Sequence, residues 1–201
     1  MDNWVKNVIK ERTETCRVTS LGDKGKKYLY GILPVESRFD PKYLDAVMHG
    51  LASMLSDELA KANVIVGIEA KGFVITPLLA NQHKKDWVAI RKRDYKTSDQ
   101  LVFSHKPPYG KKEKLFCVGL RKNDKILIVD DMISGGDTLN SIIKAIVKNG
   151  HEIVGIGTLY DRSNGRKAIK EETGFSPKSL ATIDVVNGKV KVISFYPENN
   201  L

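Results

Sequence analysis

Cysteine is scarce in this 201-residue chain: Cys16 and Cys117 are the only two, far apart in sequence. That excludes a disulfide-stapled scaffold and matches no zinc spacing. Both thiols are expected to be buried or free in a reducing compartment. Histidine is scarce too, and His49, His83, His105 and His151 form no metal-ligand spacing, so each is read as a surface residue. No apolar run approaches the roughly 20 residues that a membrane helix needs. The opening MDNWVKNVIKERTE lacks the apolar stretch of a secretory signal, so a cytoplasmic location with no membrane partner is expected. Internal repeats, low-complexity tracts and inter-domain linkers are also missing, which leaves one domain over 1–201.

What the chain does have is positive charge. Thirty-three Lys and Arg against 24 Asp and Glu give +9. Between Lys84 and Lys114 there are ten basic and four acidic residues, so six of that excess lie in one segment. Such a cluster can hold nucleic acid, a small anion, or water alone. Pro107, Pro108 and Gly110 within it suit a mobile loop better than a rigid helix that reads a duplex.

From Asp40 onward helical and strand patterns alternate. The stretch DPKYLDAVMHGLASMLSDELAKA opens with Asp40 as N-cap and Pro41 at the first helical position. Leu44, Val47, Met48, Leu51, Leu55 and Leu59 then share a face. VIVGI (64–68) is continuously apolar, as in a strand covered on both sides. FVITPLLANQH follows as a helix with Pro77 in its first turn, and WVAI as the next strand. A hairpin with LFCVGL as one arm is expected in the basic segment. KILIVD is a buried strand, and Thr138 to Asn149 a helix whose inner side carries Leu139, Ile142, Ile143, Ile146 and Val147, ended by Gly150 in a left-handed cap. EIVGIGTLYD is a further strand. Asn187-Gly188 then separates two β-rich runs, a hairpin signal. This alternation predicts an α/β fold, an open parallel sheet flanked by helices. About 35 N-terminal residues fall outside it and are expected to form a small hood or appendage.

The informative stretch is KILIVDDMISGGDTLNSIIKAIVKNG. In an open parallel sheet, ligands bind at the carboxyl ends of the strands, where helix N-termini point. Asp130 and Asp131 are expected at such an end. Ser134, Gly135, Gly136, Asp137 and Thr138 form the loop feeding the next helix, and its small residues, amides and hydroxyls suit a terminal phosphate. Adjacent carboxylates suit neighbouring hydroxyls or a divalent cation. Ribose 5-phosphate satisfies both requirements. An ordinary β–α connection with helix caps explains two acids and a glycine turn alone, but not the whole pattern.

That pattern, ILIVDDMISGGDTL, resembles the phosphoribosyl pyrophosphate (PRPP) signature of type I phosphoribosyltransferases. Gly135 stands where that family usually has a hydroxyl residue, which removes one phosphate hydrogen bond, and Asp137 stands where Gly is frequent; Asp137 is read as capping the helix. VIVGIEAKGFVITPLLA is similar to the pyrophosphate-loop region of adenine and archaeal hypoxanthine (purine) phosphoribosyltransferases, with Glu69, Ala70, Lys71 and Gly72 as the loop. VAIRKRDYK is similar to the segment after the next strand, which implies Arg91 and Lys92 at pyrophosphate. ETGFSPKSLATIDVVNGKVKV resembles the carboxyl end of archaeal purine enzymes. The likeness runs from about Asp40 to Val192.

The resemblance implies a purine phosphoribosyltransferase that moves the phosphoribosyl group of PRPP to a base. Asp130 and Asp131 would be catalytic and hold the ribose hydroxyls, residues 134–138 would hold the 5′-phosphate, and Mg2+ would come mainly through PRPP. The loop of about 94–114 would be a lid that excludes water. A homodimer with no nucleic-acid partner is implied. Tyr28 and Tyr30 are available for purine stacking, yet tyrosines in a strand are ordinary packing, and the base pocket is not assigned. Two alternatives stay open. Orotate phosphoribosyltransferase is one, since Lys111, Lys112 and Lys114 fit its catalytic loop. A non-catalytic PRPP-binding transcription regulator is the other, though too few residues precede Asp40 for a separate reading module.

Overall fold

Apolar side chains three and four residues apart bury one stripe of the first helix, α1 (Asn3–Glu14): Val5, Val8 and Ile9 all lie in the core. The computed structural model describes residues 1–21, 28–105, 113–162 and 164–199. After α1, strands β1 (Val18–Leu21) and β2 (Tyr28–Gly31) pair with each other alone as a two-stranded antiparallel sheet. The N-terminal segment therefore divides. Its hairpin stands apart as a hood, while α1 packs on α2 (Pro41–Met54) and the last strand.

Between hood and α2 lies a short 3-10 turn, Pro34–Glu36. Asp40 caps α2 as expected, its carboxylate accepting from the Tyr43 amide at 3.1 Å, with Pro41 opening the helix. The expected single helix breaks at Leu55, whose φ of −105° and ψ of 19° leave helical geometry, and resumes as α3 (Ser56–Lys61). The break keeps Leu55 and Leu59 buried.

The remaining elements follow in order: β3 (Val64–Ile68), a 3-10 turn (Lys71–Val74), α4 (Thr76–Gln82), β4 (Asp86–Arg91), β5 (Leu101–His105), β6 (Glu113–Cys117), β7 (Lys125–Ile133), α5 (Asp137–Lys148), β8 (Glu152–Asp161), α6 (Gly165–Thr173), β9 (Lys178–Val186) and β10 (Lys189–Phe195). They build an eight-stranded sheet in the order β10-β9-β8-β7-β3-β4-β6-β5. Its five central strands, β9 to β4, are mutually parallel; β10 and β6 join antiparallel. The parallel strands need covering on both faces, and their alternation supplies it. Ile65, Leu127 and Val129 enter one core layer with α1, α2 and α4, and Val64, Val66, Ile126 and Ile128 enter the other with α5 and α6. Each such side chain contributes about 1.5–3 kcal/mol.

Four details differ from the sequence reading or lie outside it. The strand β7 runs on to Ile133 instead of ending at Asp130. Val147 on α5 is exposed, not inward-facing, because the buried stripe is filled by Leu139, Ile142, Ile143 and Ile146. The helix α6 was not anticipated. β5 and β6 are the arms of a hairpin in the basic segment, whose residues 106–112, with Lys111 and Lys112, lie outside the described ones. The Asn187-Gly188 turn is as expected, both residues having positive φ between paired Val186 and Lys189.

Candidate active site

Alternation along β7 loses step at the two acids. Leu127 and Val129 face one core layer and so does Met132, while Ile133 joins the other. Asp130 and Asp131 lie between these residues, beyond Val129, where the pairing with β3 has ended and that with β8 continues in step. The Asp131 amide donates to Oδ1 of Asp130 at 2.9 Å. Asp131 is 7% exposed, and its Oδ2 is a buried oxygen with no hydrogen-bond partner among the described residues. An acceptor left in that state calls for a donor or a cation from outside.

Burial raises both carboxyls above the usual carboxylate range. Asp131 moves up to about 6, with the Lys71 ammonium opposing the effect of burial. Asp130 is also pushed up, by burial and then by the neighbouring Asp131 charge.

The segment after β3 comes directly against this pair. The Glu69–Ala70 peptide is cis, and the turn from Lys71 carries Gly72 beneath Asp130. A side chain on Gly72 would begin 2.6 Å from Asp130 Oδ1, so only glycine lets the turn approach the acid this closely. Lys71 is half-buried. Its Nζ lies 2.9 Å from Glu36 Oε1 and donates to the Tyr30 hydroxyl, which in turn donates to Glu36 Oε2 at 2.6 Å. Burial acts to lower the lysine's pKa, but these two bonds and the Asp131 charge leave it raised, so Lys71 is a permanent cation. The Tyr30 hydroxyl is pushed up to about 12, by burial and by its bond to Glu36.

Arg91 and Lys92, at the end of β4, meet the same turn in different ways. The Arg91 guanidinium stacks over Phe73, 5.0 Å from the ring centroid, and Phe73 sits edge-on to Trp87 at 5.2 Å. The Lys92 amide donates to Glu69 Oε2 at 2.8 Å, tying turn to strand, while its ammonium pairs with Glu113 at 3.0 Å. Glu69 to Gly72, Arg91, Asp130 and Asp131 thus gather at one sheet end, and the Lys92 ammonium is engaged by β6.

On the other side of the acids, Ser134 and Gly135 are exposed, Gly136 is buried with φ of 89°, and Thr138 is half-buried. Gly136 is the N-cap of α5, and no side chain caps this helix. Asp137 is its first residue, exposed, so it favours the helix through the macrodipole instead of capping it. The loop rests on the start of the unanticipated helix α6. A side chain at Gly165 would meet the Ser134 carbonyl oxygen at 2.0 Å, and one at Gly136 the Gly165 oxygen at 2.9 Å.

Three participants went unseen in the sequence: Glu36, Gly165 and the hydroxyl role of Tyr30. Glu36 is a lone acid after an apolar run, and nothing in its spacing points at Lys71. Tyr30 was visible only as a strand tyrosine. The arrangement offers paired acids flanked by a cationic, close-approaching turn and by a small-residue loop at a helix start. It can hold a diol between two anionic groups.

The comparisons agree with this geometry. A profile of the phosphoribosyl transferase domain matches residues 40–192. A hypoxanthine/guanine phosphoribosyltransferase of Methanococcus maripaludis is 32% identical over 189 residues, covering 92% of this chain and 98% of the relative. One of Methanotorris igneus is 33% identical over 191 residues, covering 92% and 100%. Among solved structures, adenine phosphoribosyltransferase from Rhodothermus marinus shares the fold with a TM-score of 0.70 at 22% identity, covering 90% of this chain and 99% of that one. Since the profile takes in both the acid pair and the turn beneath it, and the relatives match nearly end to end, this chain belongs to the phosphoribosyl transferase family.

Proposed function

We propose that the protein transfers the phosphoribosyl group of PRPP to a purine base, releasing pyrophosphate and a nucleoside 5′-monophosphate. The observation that carries this reading is the contact of Gly72 with Asp130, which sets a cationic turn against a carboxylate pair whose other side leads into the loop before α5. A molecule with a diol between a pyrophosphate and a phosphate fits that order. Asp130 and Asp131 accept the ribose hydroxyls, and the free Oδ2 of Asp131 is the acceptor waiting for one. Amides and hydroxyls of Ser134, Gly135, Gly136 and Thr138 take the 5′-phosphate at the start of α5, with Asp137 directed to solvent. Glu69, Ala70, Lys71 and Gly72 take the pyrophosphate with Arg91, and Lys92 holds the turn through its amide.

In the reaction a purine nitrogen attacks C1 of the ribose, the C1–oxygen bond breaks, and pyrophosphate leaves with the electron pair while the base loses its proton. Catalysis is then positioning of the ribose by the acids and charge stabilisation of the departing anion by Lys71 and Arg91. The orphaned Asp131 oxygen also fits a divalent cation. Mg2+ would be held between PRPP and Asp130 or Asp131, where it would offset charge on the leaving pyrophosphate. Among the described residues no group of three or more His, Cys, Asp or Glu side chains could hold a metal alone.

Hypoxanthine and guanine are the favoured bases, because relatives of that name match nearly end to end. We further take the protein to be a cytoplasmic homodimer, on family likeness. The test is incubation with PRPP, Mg2+ and, separately, hypoxanthine, guanine, adenine, xanthine and orotate, with pyrophosphate and nucleotide measured. Turnover with a 6-oxopurine is expected. Turnover with orotate alone would remove the purine reading, and no turnover together with PRPP-dependent DNA binding would replace it with a regulator.

A further inference from the structure

Lys71 stands in the turn assigned to pyrophosphate, yet its ammonium is committed elsewhere. It is 2.9 Å from Glu36 and bonded to Tyr30. Glu36 is itself fixed from the hood side. Tyr30 of β2 donates to its Oε2 at 2.6 Å, and the Leu33 amide reaches the same oxygen at 3.3 Å. The carboxylate belongs to the 3-10 turn that follows the hood and the hydroxyl to β2 of the hood, so the ammonium is tied to both. Meanwhile Asp131, the acid whose charge Lys71 feels, keeps its Oδ2 without a partner. Lys71 thus chooses between Glu36 and whatever anion enters beside Asp131.

We propose that Glu36 is a positioning residue for the transfer: it holds Lys71 in a latch to the turn after the hood, and the pyrophosphate end of PRPP takes Lys71 from it. Two consequences follow. Binding of the polyanion must break the Glu36 pair, so affinity is lower than the turn alone would give. When pyrophosphate leaves, Glu36 recaptures the ammonium, which helps release. The pair is partly exposed, 33% at Lys71 and 18% at Glu36, so its cost is of the order expected for a half-screened ion pair, about two- to fivefold in a binding constant. This rests on the reading above that the 69–72 turn meets pyrophosphate.

The experiment is calorimetric titration of inorganic pyrophosphate with Mg2+ into the wild type, Glu36→Gln, Tyr30→Phe and the double variant Glu36→Gln/Lys71→Met. Steady-state KM values for PRPP and base are measured alongside. Glu36→Gln is expected to tighten pyrophosphate about two- to fivefold and to lower KM for PRPP by a similar factor, with KM for the base unchanged and kcat no higher. Tyr30→Phe should shift the same way by less, and the double variant should lose the gain. A purely structural Glu36 would leave pyrophosphate affinity unchanged or weaker, and that result overturns the latch. If the wild type makes nucleotide and the affinity does not rise, the latch fails alone. If the wild type neither binds pyrophosphate nor turns over, the underlying reading fails and takes the latch with it.

Discussion

Gly72 and Asp130 are in contact so close that a side chain at position 72 must displace the acid: a Cβ there would sit 2.6 Å from Asp130 Oδ1 and 3.6 Å from its Cα. The carboxylate is the group with freedom to move, so the smallest insertion displaces Asp130 before it disturbs the core.

Gly72→Ala is therefore expected to cut kcat/KM by about a hundredfold, in line with a small misplacement of a positioned group. Its stability cost should stay near 1–3 kcal/mol, as for modest overpacking. Urea denaturation beside steady-state kinetics checks the split. Equal, small losses in both would place Asp130 outside the chemistry.

Asp131 gives a prediction with a definite sign. Its carboxyl titrates at about 6, against a usual value near 3.8, because burial disfavours the charge. The folded protein then binds more protons than the unfolded chain between about pH 4 and 6. Stability falls as pH rises through that window, and the loss is complete above it. The proposed role of the pair needs ionised carboxylates, and both acids are raised by burial, so kcat/KM should rise with pH through this window and beyond it. Asp131→Asn removes the buried charge, so its melting temperature at pH 7.5 should equal or exceed that of the wild type while turnover falls by at least about a hundredfold. A parallel collapse of stability and activity would mark the aspartate as structural.

These two acids were legible from sequence because the strand pattern around them is one-dimensional: ILIV at β7 must be buried on both faces, and whatever follows it in a parallel sheet lies at the ligand end. The turn after β3 was legible for the same reason. What was not legible depended on tertiary contact. GRKAIKEET holds a single large apolar residue, Ile169, so its period is invisible, although α6 supports the loop before α5 through Gly165. Glu36 is a lone acid at the end of an apolar turn, and only folding brings that turn to Lys71. Asp137 was misassigned as a cap because a polar residue one position inside a helix has the same composition signal as one at its boundary.

Gly165 supplies the third prediction. Its missing side chain would fall 2.0 Å from a backbone oxygen, that of Ser134, and backbone gives way less readily than a side-chain tip. Gly165→Ala should push the loop before α5 outward and raise KM for PRPP by about tenfold or more, with a smaller effect on KM for the base. That asymmetry follows if residues 134–138 bind only the phosphate, and kinetics with each substrate varied in turn measure it. Equal rises in both constants would mean that the loop does not act on PRPP alone.

The fourth prediction concerns what fixes that helix. Asp161, at the end of β8, pairs with Arg166 of α6 at 3.1 Å, and each side chain is only 6% exposed. Thr182 donates to the same aspartate at 2.8 Å, and Arg166 reaches the Asn199 carbonyl, so the pair joins β8, β9, α6 and the C-terminal turn. A buried ion pair contributes little net stability, but losing one partner strands the other charge, at about 3–5 kcal/mol. Asp161→Asn should then lower the melting temperature by roughly 10 °C for a chain of this size. Replacing both partners, in Asp161→Asn/Arg166→Met, removes the stranded charge and should recover more than half of that loss. If the double variant is instead as unstable as the sum of the single ones, the two charges are not coupled, and the anchoring of α6 must lie in its apolar contact at Ile169.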